Sequence, residues 1–260
     1  MNVEMRAAPR LLHESGRVKA SCLEGSEARL VVSFTGVGKP DARSQTEEFV
    51  KSSRQNGRNH VLFVADTLRS WYNDPGIFEE IIDTVEAYRR AHAIAETVTF
   101  GNSMGGYGAV LFAGPLGAKS CLSLSAQYSA DPEMVPEERR WRAYRDRIGR
   151  FTRPPLDDTL DPGCCYFVLH GGGGQERPHW SRFPARPFVH HFLIGRVGHG
   201  VGRRLKAAGL MERLTQYAIA ARPVAFRRAL AAAMEIRRPP DPLGDPHQFA
   251  PTHTPRGNRI

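Results

Sequence analysis

Residues 98–112 read VTFGNSMGGYGAVLF, and the order of apolar, glycine and serine residues here indicates the fold class. A short run of apolar and β-branched residues stops at Gly101, Ser103 follows two residues later, and Gly105 and Gly106 lead into a helix-forming segment. The pattern predicts a strand, a tight turn and a helix, with Ser103 at the apex. Such a turn strains the backbone and brings neighbouring chain so close that only small residues fit beside the serine. In the alternative interpretation, Ser103 only caps the helix.

The predicted turn would also suit Ser103 to chemistry. Its hydroxyl would stand clear of the sheet beside a helix N-terminus, where backbone N–H groups stabilise negative charge. We therefore predict that Ser103 is a nucleophile. The N–H of Met104 is one expected donor to the oxyanion that would form. A glycine loop after the apolar run 29–34 is expected to supply the second donor, and the candidates there are Thr35, Gly36 and Val37.

A serine nucleophile needs a positioned base, because its hydroxyl is a weak nucleophile near neutral pH. His199 is the predicted base. It follows the last predicted strand, 187–194, and has a glycine on each side, which lets a loop carry the ring toward Ser103. The alternative is a surface-loop histidine without a partner.

The third member of such a site would be a carboxylate that orients the histidine and stabilises its charged form. Glu176 is the only carboxylate in the loop 170–180, which follows the strand before the histidine strand. Aspartate is the commoner residue in this role, and Arg177 could instead occupy Glu176 in a surface ion pair. The alternatives for the acid are Asp131, Asp158 and Asp161.

Nearly continuous apolar runs alternate with helical patterns along the chain, including a 3.6-residue period over residues 77–95. This alternation predicts an α/β fold with a mainly parallel sheet covered by helices on both faces. The predicted division is an N-terminal segment 1–28 with an extra strand, a main domain 29–222, and a basic, proline-rich tail 223–260 that is expected to be disordered.

An insertion at residues 130–159 interrupts the alternation. Four apolar side chains are spaced 3, 4 and 3 residues apart and would share one helical face, while the six arginines of 136–151 occupy the other faces, so we predict a helical cap. The apolar residues are Trp141, Tyr144, Ile148 and Phe151. The segment would either dock on the core through this face or cover a substrate, in which case its arginines would attract an anionic acyl donor or a sugar phosphate.

Composition limits the function classes. The chain has 260 residues and a net charge of +9, and residues 196–260 hold 12 Lys and Arg against 4 Asp and Glu. A basic tail attracts polyanions without a specific site, so a solubilising role and polyanion binding both stay open. No apolar run approaches the length of a membrane helix, no secretory signal is recognised, and the four cysteines lack metal-site spacing. We expect a cytoplasmic protein without metal or nucleotide cofactor.

Four short segments carry a resemblance to known proteins. They are SWYN at 70–73, GNSMGGYG at 101–108, SAQYS at 125–129 and GHGV at 198–201. On these motifs, the chain resembles bacterial α/β-hydrolase-like proteins associated with surface polysaccharide or glycoprotein modification. The resemblance implies a serine-dependent fold and a carbohydrate or acyl substrate. Family members tend to carry aspartate where this chain has Glu176.

These observations favour a serine hydrolase or acyltransferase that acts on an ester or thioester of a small molecule or carbohydrate. Residues at the carboxyl edge of the sheet are candidates for substrate binding. They are Trp71, Tyr72, Gln127 and Tyr128. The alternatives are packing beneath the cap for these side chains and, for the whole protein, a non-catalytic partner or scaffold role. The sequence predicts no specific nucleic-acid site and does not indicate an oligomeric state.

Overall fold

The computed structural model describes residues 8–38 and 45–240. In this part of the chain the strands are β1 (Arg10–Glu14), β2 (Val18–Leu23), β3 (Arg29–Phe34), β4 (His60–Asp66), β5 (Glu96–Asn102), β6 (Ser120–Leu124), β7 (Cys165–Gly171), β8 (Val189–Ile194) and β9 (Ile236–Arg237). They form one sheet in the order β1-β2-β4-β3-β5-β6-β7-β8-β9. The six strands from β4 to β8 are parallel, whereas β1, β2 and β9 run antiparallel to their neighbours. The predicted mainly parallel sheet is confirmed.

Helices lie along both faces of this sheet. They are α1 (Val50–Arg54), α2 (Ile77–Ala91), α3 (Met104–Leu111), α4 (Arg142–Arg145), α5 (Arg177–Trp180), α6 (Val201–Ala207), α7 (Met211–Ile219) and α8 (Pro223–Ala233). Successive strand residues point to opposite faces. In β3, Leu30 and Val32 therefore join the core under α2 and α3, while Val31 joins the core under α6, α7 and α8. Burial on both faces explains why the central strands are almost continuously apolar.

The insertion at 130–159 differs from the prediction, and its helical character is not confirmed. It contains the four-residue helix α4 and a 3₁₀ turn at Leu156–Thr159. Trp141, at the start of α4, has a left-handed backbone with φ of 65°, which interrupts any longer helix. The four predicted apolar residues nevertheless pack against the core beneath α2 and α3.

The ends of the chain also differ from the expectation. The N-terminal segment contributes two strands, β1 and β2, where one extra strand is predicted. The segment that is expected to be disordered from residue 223 begins with α8, whose Phe226 and Leu230 are fully buried, and with β9. The remainder of that prediction, residues 241–260, lies outside the described residues.

Two features of residues 8–38 and 45–240 concern membrane-spanning helices and metal sites. No helix there is both long and apolar enough to cross a membrane. In the same ranges, no group of three His, Cys, Asp or Glu side chains has the arrangement of a metal site. The four cysteines are free thiols.

Candidate active site

Ser103 occupies the sharp turn between β5 and α3. Its backbone has φ of 59° and ψ of −125°, a conformation that non-glycine residues rarely adopt. The glycines on either side permit it: a Cβ on Gly101 would collide with the backbone of Gly105, and a Cβ on Gly105 would collide with that of Phe34. The Ser103 side chain makes no capping hydrogen bond to α3. The helix-capping alternative therefore fails.

His199 faces Ser103 from the loop between β8 and α6. Its Nε2 lies 2.8 Å from Ser103 Oγ, and its Nδ1 lies 3.2 and 3.3 Å from the two carboxylate oxygens of Glu176. A carboxylate accepts only, so Nδ1 carries the proton and Nε2 is free to accept the hydroxyl hydrogen. The loop is fixed from below, because Ser125 Oγ donates to the His199 carbonyl at 3.1 Å. The Trp141 ring packs beside the imidazole, with the ring centroids 5.7 Å apart.

Glu176 lies in a 3₁₀ turn after β7, and its side chain is 0 % exposed. Its carboxylate also accepts a hydrogen bond from Arg140 Nη1 at 2.5 Å. Burial by itself raises the pKa of Glu176, but the hydrogen bond from His199 and the Arg140 cation lower it to about 2. Glu176 is therefore ionised at neutral pH, as a carboxylate that orients an imidazole must be.

Two of the three alternative acids, Asp131 and Asp161, make local hydrogen bonds. Asp131 and Asp161 each accept a backbone N–H two residues further along, from Glu133 at 2.8 Å and from Gly163 at 2.7 Å. These are local turn contacts typical of aspartate. Arg177, the alternative partner of Glu176, contributes the first residue of α5, and the observed cation at Glu176 is Arg140.

Gln127 contacts Ser103, and Trp71 contacts Gln127. The indole N–H of Trp71 donates to Gln127 Oε1 at 3.1 Å, which turns the amide so that Nε2 lies 3.3 Å from Ser103 Oγ. Both side chains are buried. The serine hydroxyl thus accepts from Gln127 while it donates to His199, and its rotamer is held from two directions.

Tyr72 and Tyr128, the other candidates for substrate binding, have structural contacts. Tyr72 is fully buried and packs edge-on against Phe34 and Phe112 in the core beneath α3. The Tyr128 hydroxyl donates to Asp157 at 2.6 Å. For these two residues, the packing alternative fits better than substrate contact.

Among the candidate oxyanion donors, the structure separates the three loop residues. The Thr35 N–H donates to the Val64 carbonyl at 2.9 Å within the sheet, so it is already used. Gly36 lies beside the Glu48 carboxylate, since a Cβ on Gly36 would be 3.7 Å from Glu48 Oε2. Its N–H donates to that carboxylate and is therefore already used. In the part of the chain that the structure describes, Val37 N–H has no hydrogen-bond acceptor. Met104 begins α3, where N–H groups have no partner within the helix.

Two residues of the site escape sequence reasoning. Both lie in the insertion. Arg140 bonds to Glu176, 36 residues further along the chain, and Glu138 bonds to His179, 41 residues further along. The insertion's arginine content is visible in the sequence, but nothing in its spacing indicates that Arg140 turns inward while its neighbour Arg139 is exposed.

No family model and no curated protein matches this chain. Solved structures do match it. A capsule O-acetyltransferase of Neisseria meningitidis serogroup A is 13% identical, with a TM-score of 0.59 over 78% of this chain and 93% of that chain. Est1E from Butyrivibrio proteoclasticus is 12% identical, with a TM-score of 0.55 over 82% of this chain and 100% of that chain. An α/β serine hydrolase without a lid from Xanthomonas campestris is 13% identical, with a TM-score of 0.52 over 86% of this chain and 94% of that chain.

Proposed function

We propose, from the α/β-hydrolase fold that this chain shares with these structures, that the protein is a serine hydrolase or acyltransferase acting through an acyl-enzyme on Ser103. One observation carries the proposal: Ser103 Oγ lies 2.8 Å from His199 Nε2, while the buried Glu176 carboxylate faces the other ring nitrogen. Sequence separations of 96 and 23 residues make this convergence improbable as a by-product of packing.

The reaction would proceed in two acyl-transfer steps. Ser103 Oγ attacks the carbonyl carbon of an ester or thioester while its proton passes to His199 Nε2. Glu176 stabilises the imidazolium that forms, which then protonates the leaving alcohol or thiol as the tetrahedral intermediate collapses. Water or a sugar hydroxyl next gives its proton to His199 and attacks the acyl-enzyme, which releases the acid or the acylated acceptor and restores Ser103.

The negative oxygen of each tetrahedral intermediate needs donors that are in place beforehand, and each is worth about 10²–10³ in rate. Met104 N–H, at the start of α3, and Val37 N–H, in the loop after β3, are the proposed pair. The loop is braced by Arg69 Nε, which donates to the Val37 carbonyl at 2.9 Å.

We propose a small acyl group on a carbohydrate as the substrate. Ser103 is only 5 % exposed, which leaves little room for a long acyl chain beside it in this conformation. The support on the carbohydrate side is the capsule O-acetyltransferase among the matching structures, together with the motifs that resemble polysaccharide-modifying proteins. In this proposal Gln127 holds the serine, and Trp71 acts through Gln127 rather than by stacking on a sugar.

The alternative functions have less support. A non-catalytic scaffold would not require three polar groups from separate loops to align. Polyanion binding by the insertion has less support because two of its seven arginines point inward. Arg140 bonds to Glu176, and Arg145 donates to the Ala130 and Glu138 carbonyls at 2.7 and 2.6 Å.

The test is labelling by a fluorophosphonate probe, followed by hydrolysis of short p-nitrophenyl esters and then of acetylated sugars with and without added acceptor. Wild-type protein is expected to be labelled, and Ser103→Ala and His199→Ala are expected to lose labelling. Ser26→Ala and His13→Ala are matched controls, because Ser26 is exposed and His13 pairs with Glu80 on edge strand β1. Folded wild-type protein that stays unlabelled and inactive would refute the proposal.

A further inference from the structure

A series of hydrogen bonds through the insertion connects Glu176, the partner of His199, with the backbone next to Gln127, the partner of Ser103. From Glu176 it passes to Arg140, whose Nε donates to Glu138 Oε2 at 2.9 Å. Glu138 Oε2 also accepts from His179 Nε2 at 2.7 Å, and His179 Nδ1 accepts the Tyr128 N–H at 3.1 Å. Tyr128 follows Gln127, whose amide touches Ser103. The insertion therefore holds both the carboxylate behind His199 and the backbone beside Gln127.

The buried members of this series have defined protonation states. His179 accepts at Nδ1, so its proton is on Nε2, and burial lowers its pKa, which keeps the ring neutral. Glu138 is only 3 % exposed, yet its hydrogen bonds from His179 and Arg140 outweigh burial and lower its pKa. Arg140 is charged. The line from Glu138 through Arg140 to Glu176 thus alternates in sign: negative, positive, negative.

The alternating charges of Glu138, Arg140 and Glu176 affect how easily the His199 imidazole becomes positively charged. Arg140 fixes the Glu176 carboxylate in place but also brings a positive charge near an imidazole that must become positive during reaction. Glu138 opposes that charge. We infer that Arg140 and Glu138 are positioning residues: Arg140 holds Glu176 against His199, and Glu138 balances the Arg140 charge so that the imidazolium can still form.

This inference rests on the proposed roles of His199 and Glu176. The titratable and charged groups around His199 come from four parts of the chain. Glu176 and His179 lie in the turn and helix after β7, His170 ends β7 itself, and Arg140 and Glu138 lie in the insertion. His170 and His179 are buried rings with lowered pKa values, so neither adds charge near neutral pH.

The two single variants are expected to shift His199 in opposite directions. Arg140→Gln removes the cation, so the His199 imidazolium becomes easier to form and its pKa rises by about one pH unit. Glu138→Gln removes the balancing anion, so the pKa falls by about the same amount. The acid limb of kcat/KM follows the ring, moving to higher pH in the first variant and to lower pH in the second. If Arg140 and Glu138 had only a structural role, both variants would lose activity but would not shift the His199 pKa in opposite directions.

The experiment measures the His199 ring by NMR titration and, separately, the pH profile of ester hydrolysis. Arg139→Gln and Glu137→Gln are matched controls, since each makes the same charge change one residue away at an exposed position. They are expected to leave the His199 titration and the profile unchanged. The NMR titration needs no turnover, so it tests this inference even if Ser103 proves unreactive, whereas the labelling test addresses the proposed function alone.

The Arg140→Gln/Glu138→Gln double variant covers the case in which a single variant fails to fold, because it removes one positive and one negative charge together and leaves the net charge of the buried cluster unchanged. Its His199 pKa is expected within about 0.3 units of the wild-type value, as the two shifts cancel. Its kcat is expected to fall about tenfold at unchanged KM, because Glu176 is no longer clamped. Shifts of the same sign in both single variants, or a double variant with wild-type kcat, would overturn the inference.

Discussion

Gly105 offers a strict test of how the site is built, because α3 begins directly against β3 at this position. In Gly105→Ala the new Cβ would lie 2.7 Å from the Phe34 carbonyl carbon and 2.9 Å from the Thr35 carbonyl carbon, and closer still to the Phe34 oxygen. Ordinary contacts of this kind are 3.4 Å or longer. The obstacles are backbone atoms, and the Phe34 oxygen is the nearest of them, so the start of α3 must retreat from β3 by about 1 Å or more.

Two losses follow from that displacement. Overpacking of this size is expected to lower the free energy of unfolding by about 3 kcal/mol. Ser103 moves with the helix, so its 2.8 Å separation from His199 Nε2 lengthens beyond hydrogen-bond range. A misplacement of about 1 Å costs on the order of 10² in rate, so kcat is expected to fall about a hundredfold.

Urea unfolding followed by circular dichroism measures the first loss, and ester hydrolysis in native buffer measures the second. Gly149→Ala is the matched control, because a Cβ there meets no atom within 4 Å. It is expected to change the unfolding free energy by less than about 0.5 kcal/mol. If Gly105→Ala were as stable and active as this control, the close approach of α3 to β3 would not be what shapes the turn.

Three further predictions concern the polar groups around the turn. Glu176→Gln is expected to lower kcat by about 10³–10⁴ at nearly unchanged KM, measured as Ser103-dependent ester hydrolysis, because the imidazole loses its ionised partner. Gln127→Leu is expected to lower the unfolding free energy by about 1–3 kcal/mol, since it leaves the buried Trp71 N–H without an acceptor, and to lower kcat about tenfold; equal urea midpoints would contradict this. The pKa of His170 is lowered by burial to about 4, against about 6.5 when unfolded. Between these values the unfolded state binds more protons than the folded state, so the free energy of unfolding decreases as the pH is lowered, by about 2 kcal/mol from pH 7 to pH 5. In urea titrations, the decrease for His170→Gln is expected to be smaller by that amount.

Local patterns predict the parts of the site that depend on short stretches of chain. The turn at Ser103 is determined by glycines two residues away on either side, and the His199 loop by its flanking glycines and its place after the last parallel strand. Both predictions use only the order of strands and the chemistry of a few neighbours. Glu176 is found by the same reasoning, as the one carboxylate in the loop after β7.

The insertion shows where such reasoning fails. The apolar period through Trp141 and Tyr144 is real, because these side chains do pack on the core, but it does not produce a long helix. Arg140 turns inward to Glu176 and Glu138 turns inward to His179, although residues two apart project from nearly opposite sides of a helix. Pairing between distant segments therefore decides the local conformation. A single sequence holds no local signal for that pairing.

The pairing of β9 with β8 has a consequence for how the protein is made. β9 meets β8 at Leu193 and Ile194, and Gly195 N–H donates to the Glu235 carbonyl at 2.9 Å, directly before the His199 loop. A chain emerging from the ribosome folds its N-terminal portions first. Ser103 can therefore reach its strained turn early, while the brace behind the histidine loop forms only after residue 237 has been released. The brace behind the histidine loop is thus the last of the contacts around Ser103 and His199 to become available during synthesis.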